Sequence, residues 1–176
     1  MNRSRFFIDI GNSRIKIAAE RSGEFDPLLP MYETPSDVLR WIEQNHNGEE
    51  EVVICSVVKD ILQELTTELT GLPVRVIENE SIPRKYLDYH TPETLGIDRF
   101  LSCLGAASLS HSGVIVVDAG TACTIDYMTH DYVFHGGVIM PGLTTLKRSI
   151  QISLPALPPF ESRIPELFPG KSSVES

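Results

Sequence analysis

The order of apolar and polar positions predicts a chain that alternates strands and helices. Phe6-Phe7-Ile8-Asp9-Ile10 is a short apolar run broken by one acid, which predicts a buried strand. Gly11-Asn12-Ser13 reads as a turn, and Ile15-Lys16-Ile17-Ala18 alternates as a returning strand does. Arg21-Ser22-Gly23-Glu24 reads as a second turn. Thr34-Pro35-Ser36-Asp37 is a helix start: a Thr cap, Pro at the first helical position and an acid three residues after the cap. Val38, Leu39, Trp41 and Ile42 supply that helix with an apolar face, and Asn47-Gly48 ends it.

The pattern then repeats. Val52–Val58 is a β-branched run that predicts a fully buried strand, and Lys59–Leu69 carries Ile61, Leu62, Leu65 and Leu69 at helical spacing. Val74–Ile77 is another short strand, and the Pro-interrupted polar stretch from Ser81 to Thr94 reads as loop. Gly96–Ser110 predicts a helix with Phe100, Leu101, Leu104 and Ala107 on its apolar side, and Val114–Val117 starts a new strand. Strand, helix, strand in this order implies an α/β architecture with helices packed on a mostly parallel or mixed sheet.

An internal repeat sits on this pattern. Ile8-Asp9-Ile10-Gly11-Asn12-Ser13 and Val117-Asp118-Ala119-Gly120-Thr121-Ala122 align without gaps, 109 residues apart. Each copy is an apolar strand, Asp, a spacer, Gly and small residues before another strand. One Asp-x-Gly turn is ordinary turn chemistry. Two at equivalent strand ends suggest two related halves facing each other, with a first lobe over residues 1–112 and a second beginning at 113 and running to 176.

Composition narrows the class. The chain has 176 residues, 41% hydrophobic and 22% charged, which describes a folded globular protein. A net charge of −9 gives no electrostatic footprint for nucleic acid or an anionic membrane. No apolar run approaches the ~20 residues of a membrane-spanning helix, and the charged start before Phe6 does not read as a secretory leader. Cys55, Cys103 and Cys123 are widely spaced with no CxxC pair, so they read as reduced thiols in a cytoplasmic protein. The five histidines lack ligand spacing, His90 reads as a solvated loop residue, and Trp41 and Phe100 read as core anchors. Lys147 and Arg148 read as a solvated helix face.

The repeated turn could carry chemistry. Glycine lets the backbone approach closely, and backbone N–H groups with small polar side chains can hold phosphate oxygens. A carboxylate at the strand end cannot bind phosphate itself but can hold a cation that neutralises it. Lys16 on the returning strand could add a point charge. Neither GxxxxGK[ST] nor GxGxxG occurs, which argues against a P-loop or a Rossmann dinucleotide site.

Four motifs in order carry a resemblance: Asp9-Ile-Gly-Asn-Ser-Arg-Ile-Lys16, Gly96-Ile-Asp98-Arg99, Asp118-Ala-Gly-Thr-Ala-Cys-Thr-Ile-Asp126 and Gly136-Gly-Val-Ile-Met-Pro-Gly142. Together they resemble the type III pantothenate kinases, of the actin-like and sugar-kinase superfamily. The resemblance runs from about Phe6 to the end of the chain. It implies two duplicated ribonuclease-H-like lobes with mixed sheets, the second incomplete here, since family members are longer.

It also implies ATP-dependent phosphorylation of pantothenate, the first step of coenzyme A synthesis. Carried over by motif, Asp9, Gly11, Asn12, Ser13, Lys16 and Thr121 would contact ATP, and Asp98 would be the general base. Tyr89, Gly96, Ile97, Asp98 and Arg99 would hold pantothenate, and Asp118 would be the ligand of a monovalent cation, K⁺ or ammonium. Mg²⁺ would bridge the ATP phosphates, and the family is a homodimer. Gly170-Lys-Ser-Ser-Val-Glu-Ser176 resembles the family's Gly-x-Asn-Thr-x-Glu-Ala segment, with Ser173 standing for the substrate-binding Thr and Ser172 for the Asn. A non-catalytic regulatory relative or a truncated fragment is the alternative, and a sugar kinase or phosphatase of the superfamily a third reading. Retention of Asp9, Asp98 and Asp118 favours chemistry.

Overall fold

A computed structural model of the chain describes residues 4–26 and 30–157. These fall into two compact units, one of residues 4–26, 30–116 and 126–136 and the other of 117–125 and 137–157.

The larger unit is built on the strands β1 (Arg5–Ile10), β2 (Ile15–Arg21), β3 (Glu24–Phe25), β4 (Met31–Tyr32), β5 (Glu51–Ser56) and β6 (Val74–Ile77). The sheet order is β3-β2-β1-β5-β6, and β4 also pairs with β2. β1 and β2 are antiparallel, whereas β1–β5 and β5–β6 are parallel, so the sheet is mixed as expected of a ribonuclease-H-like lobe. The helices α1 (Pro35–Asn45) and α2 (Lys59–Glu68) make the crossovers that parallel neighbours require.

The two-residue period of the strands divides the sheet into unlike faces. Phe6, Ile8, Ile10, Ile15, Ile17, Ala19, Val52 and Ile54 are buried on one face, with Val38 and Ile42 of α1 and Leu65 of α2 packed into the same core. Trp41 joins it edge-on to Phe6, their ring centroids 5.1 Å apart. The opposite face carries Asp9, Lys16 and Cys55 in adjacent register.

α1 begins as its sequence implies. The Asp37 N–H donates to Thr34 Oγ1 at 3.3 Å, and the Thr34 hydroxyl donates to Asp37 Oδ2 at 2.7 Å. The β2–β3 turn places Ser22 and Gly23 both at positive φ, +58° and +88°, which a two-residue hairpin of right-handed strands favours. β5 stops two residues before its apolar run does. There Ser56 Oγ accepts the Val58 N–H and donates to the Val58 carbonyl, each at 2.9 Å, turning the chain. Short 3₁₀ turns at Asn79–Ser81, Arg84–Tyr86 and Pro92–Thr94 break the stretch expected to be loop.

The third helix, α3 (Ile97–Ser110), buries Phe100, Cys103 and Ala107 with Leu95, Met128 and Phe134 in a second core of this unit. The strands β7 (Val114–Ala119), β8 (Ala122–Met128) and β9 (Phe134–Pro141) form a sheet in that order. β9 escaped the sequence pattern, because Gly136-Gly137 interrupts its apolar alternation. α4 (Leu143–Ser153) follows.

In the smaller unit Gly142 is the one buried position among the described residues. Ile139, Leu143, Ile152 and Leu154 are all more than half exposed. No helix among the described residues is long and apolar enough to cross a membrane.

Ile54 sits on the central parallel pair, fully buried between both helices. Ile54→Ala is expected to cost about 2–5 kcal/mol in urea unfolding, by lost transfer energy and the cavity left behind.

Candidate functional site

Asp9 is the penultimate residue of β1, flanked on its own face by both neighbouring strands. Lys16 lies opposite it on β2 and Cys55 opposite it on β5. Lys16 Nζ is 3.3 Å from Asp9 Oδ2, and the Cys55 thiol donates to Asp9 Oδ1 at 3.6 Å. The ion pair is half exposed and contributes at most about 1 kcal/mol to stability. Its consequence is direction, since one carboxylate is held from two sides.

Gly11 closes the turn after β1 by donating its N–H to the Arg14 carbonyl at 3.0 Å. That donor is therefore spent inside the turn, and Asn12 and Ser13 are the exposed residues at its tip. The second copy of the repeat closes differently. Gly120 N–H donates to the Ala122 carbonyl at 2.9 Å, and only Gly120 and Thr121 separate β7 from β8. Both acids of the repeat end up one residue before the end of their strands.

The Gly-x-Asp-Arg motif forms the head of α3. Gly96 is the cap residue, and Asp98 lies in the first turn, where the helix dipole favours a carboxylate. The Arg99 N–H donates to Asp98 Oδ1 at 2.9 Å. A Cβ on Gly96 would lie 2.6 Å from that same oxygen, so glycine leaves the space in which the carboxylate folds back. Ile97 is buried beside it.

Asp9 meets the Cys55 thiol directly. Burial, the Asp9 charge and hydrogen bond, and the Asp98 charge together push Cys55 from 9.0 up to about 12. Cys55 is therefore a neutral hydrogen-bond donor to Asp9. The sequence offered no signal for it beyond its place at the end of a predicted strand. A cleft of about 390 Å³ opens beside the ends of β5 and β6, lined by Ser56, Val57, Glu78, Glu93, Gly96 and Ile97 among others. Its position outside the carboxyl ends of parallel strands is where open α/β sheets bind ligands.

Arg99 points elsewhere than its motif neighbour. Its guanidinium is buried and paired at two points with Asp126 of β8, with Nε donating to Oδ2 at 3.0 Å and Nη2 to Oδ1. The pair raises the Arg99 pKa further, helped by a hydrogen bond to the Tyr89 side chain. Arg99 therefore spends its charge on Asp126, and the Asp98 carboxylate meets the Arg99 backbone N–H instead of the guanidinium. The Tyr89 ring packs against Phe134 and Gly136. Gly136 has φ +74°, and a Cβ there would come within 2.9 Å of the ring. Asp126, the last residue of the second repeat motif, was not singled out in the sequence for a role of its own.

In the smaller unit, Gly142 N–H donates to the Thr121 carbonyl at 3.0 Å and the Thr145 hydroxyl donates to the same oxygen at 2.9 Å. A Cβ at Gly142 would collide with the Gly120 carbonyl oxygen, so the Pro-Gly end of the fourth motif seats directly on the repeat turn. Asp118 is exposed. Ser173 lies outside the described residues.

A mixed strand order with an acid at the end of the first strand and a second copy of that turn defines an α/β protein of the actin-like ATPase fold. The ethanolamine utilization protein EutJ from Carboxydothermus hydrogenoformans shares the fold, with a TM-score of 0.50 at 13% identity over 90% of this chain and 59% of that one. The type III pantothenate kinase family matches residues 5–176, and the chain belongs to that family. Type III pantothenate kinases from Chlorobaculum tepidum and Chlorobaculum parvum are 32% and 29% identical to it over 97% of its length. The chain spans 67% and 68% of those relatives.

With its pKa near 12, Cys55 carries about a thousandfold less thiolate at pH 8 than a thiol of pKa 9.0. Iodoacetamide should therefore label it only after unfolding, as read by mass spectrometry of the peptide. Because the folded state holds this proton more tightly, its contribution to stability is complete below about pH 9. That contribution is lost as pH rises toward 12.

Proposed function

We propose that this chain phosphorylates pantothenate on its primary hydroxyl with ATP, giving 4′-phosphopantothenate, with Asp98 as general base. The observation that carries this reading is the match of residues 5–176 to the type III pantothenate kinase family, with the motif acid Asp98 anchored at the head of α3. Phosphoryl transfer needs a phosphate-and-cation station beside a base, and little covalent chemistry from the protein. Asp9 belongs to the first, at the turn Gly11-Asn12-Ser13 with Lys16 behind it. Asp98 belongs to the second, at a helix head where its carboxylate is anchored through the Arg99 N–H.

Among the described residues no group of three or more His, Cys, Asp and Glu is arranged to hold a metal ion. Mg²⁺ binds through one or two carboxylates and otherwise through substrate phosphates and water. Asp9 would be its protein ligand, and the ion would neutralise phosphate charge. Asp118 would hold a monovalent cation, K⁺ or ammonium, and Thr121 would contact ATP. Tyr89, Gly96 and Ile97 would line the pantothenate site, with Ser173 adding a hydroxyl. The two repeats would be the two lobes of the kinase, working as a homodimer in the cytoplasm.

In this reading the pantothenate hydroxyl donates its proton to Asp98 as its oxygen attacks the terminal phosphorus of ATP, and ADP leaves. Removing the base leaves positioning intact, so Asp98→Asn should lower kcat by about 10²–10⁴ with the KM for ATP unchanged. The measurement is transfer of labelled phosphate from ATP to pantothenate with Mg²⁺ and K⁺. A folded chain without transfer would leave the regulatory reading. Gly96→Ala should lower kcat as well, by displacing the carboxylate it now makes room for, while the thermal midpoint stays within a few degrees.

A further inference from the structure

Among the buried charges that the proposed reaction does not use, Asp126 stands out. It is 2% exposed and lies on β8, yet its carboxylate is filled by one partner, the Arg99 guanidinium. Arg99 is 9% exposed, lies 5.8 Å over the Phe134 ring and also bonds to the Tyr89 side chain. A buried pair of this kind adds little stability over well-packed apolar side chains of the same volume. What it does supply is orientation, because a two-point guanidinium–carboxylate pair has a fixed plane.

Arg99 and Asp98 are consecutive in the first turn of α3, so their side chains leave the helix about 100° apart. Fixing the roll of the helix through Arg99 fixes the direction of Asp98. The Arg99 N–H that donates to Asp98 Oδ1 couples the two residues a second time, and Gly96 leaves the carboxylate its space.

We propose that Asp126 is a positioning residue: by clamping Arg99 it sets the roll of the α3 head, and with it the aim of the Asp98 carboxylate and the seat of the Tyr89 ring. This rests on the reading of Asp98 as the base. Arg99 then serves as the strut between Asp126 and the head of α3.

The test compares the full chain with Arg99→Met/Asp126→Leu, which removes both buried charges together, and with Asp126→Asn, which keeps the shape. Thermal unfolding, kinetics with ATP and pantothenate, and the ¹H–¹⁵N resonance of the backbone amide at position 99 are measured. The expected result is a folded double variant whose amide resonance has shifted and lost the pH dependence it takes from Asp98. Its kcat should fall by about a hundredfold, the cost of misplacing a catalytic group by about 1 Å, with the KM for ATP unchanged. Parental kcat in the folded double variant overturns the proposal, as does a rise in the KM for pantothenate alone, which would make Arg99 a substrate ligand. If neither variant folds, the pair is structural and the proposal fails. Should the parent chain show no transfer, the kinase reading fails separately, and the amide resonance alone decides whether Asp126 controls Asp98.

Discussion

The two-residue period of β1 ties the core of this protein to its site. Phe6, Ile8 and Ile10 go under α1 and α2, so Asp9 must go to the other face, and it meets Lys16 and Cys55 there because β2 and β5 flank β1 in register. A slip of one residue in either pairing would bury Asp9 and expose the isoleucines. The hydrophobic term that holds the sheet together therefore also holds the carboxylate in place.

Around that face the charges are managed locally. A chain of net charge −9 has no general attraction for a polyphosphate. Lys16 offsets Asp9, the neutral Cys55 thiol donates to Asp9, and Asp126 takes up the Arg99 charge. The glycines of the motifs act as spaces. Gly96 makes room for the Asp98 carboxylate, Gly136 for the Tyr89 ring, and Gly142 for the carbonyl of Gly120. These are steric demands that a side chain at the same place would violate.

The smaller unit shows the converse situation. Its repeat turn is well braced, with the Thr121 carbonyl accepting two hydrogen bonds from the α4 region, while its apolar side chains stay exposed. Hydrogen-bonded turn geometry forms from residues near in sequence, whereas covering an apolar face needs a further layer of structure.

The sequence by itself determined most of the strands and helices, the duplicated Asp-x-Gly turn and the membership in a kinase family. These are legible because side-chain period, capping chemistry and motif spacing are local properties of the chain. Even there Ser56 ended a strand early and Gly136-Gly137 hid β9, since a hydroxyl turn and a missing Cβ leave no apolar signal. Only the tertiary structure decided which side chain meets which. Cys55 on Asp9 and Arg99 on Asp126 are pairings across 46 and 27 residues of chain. They depend on strand register and on how α3 rolls against β8 and β9, and no local pattern encodes either.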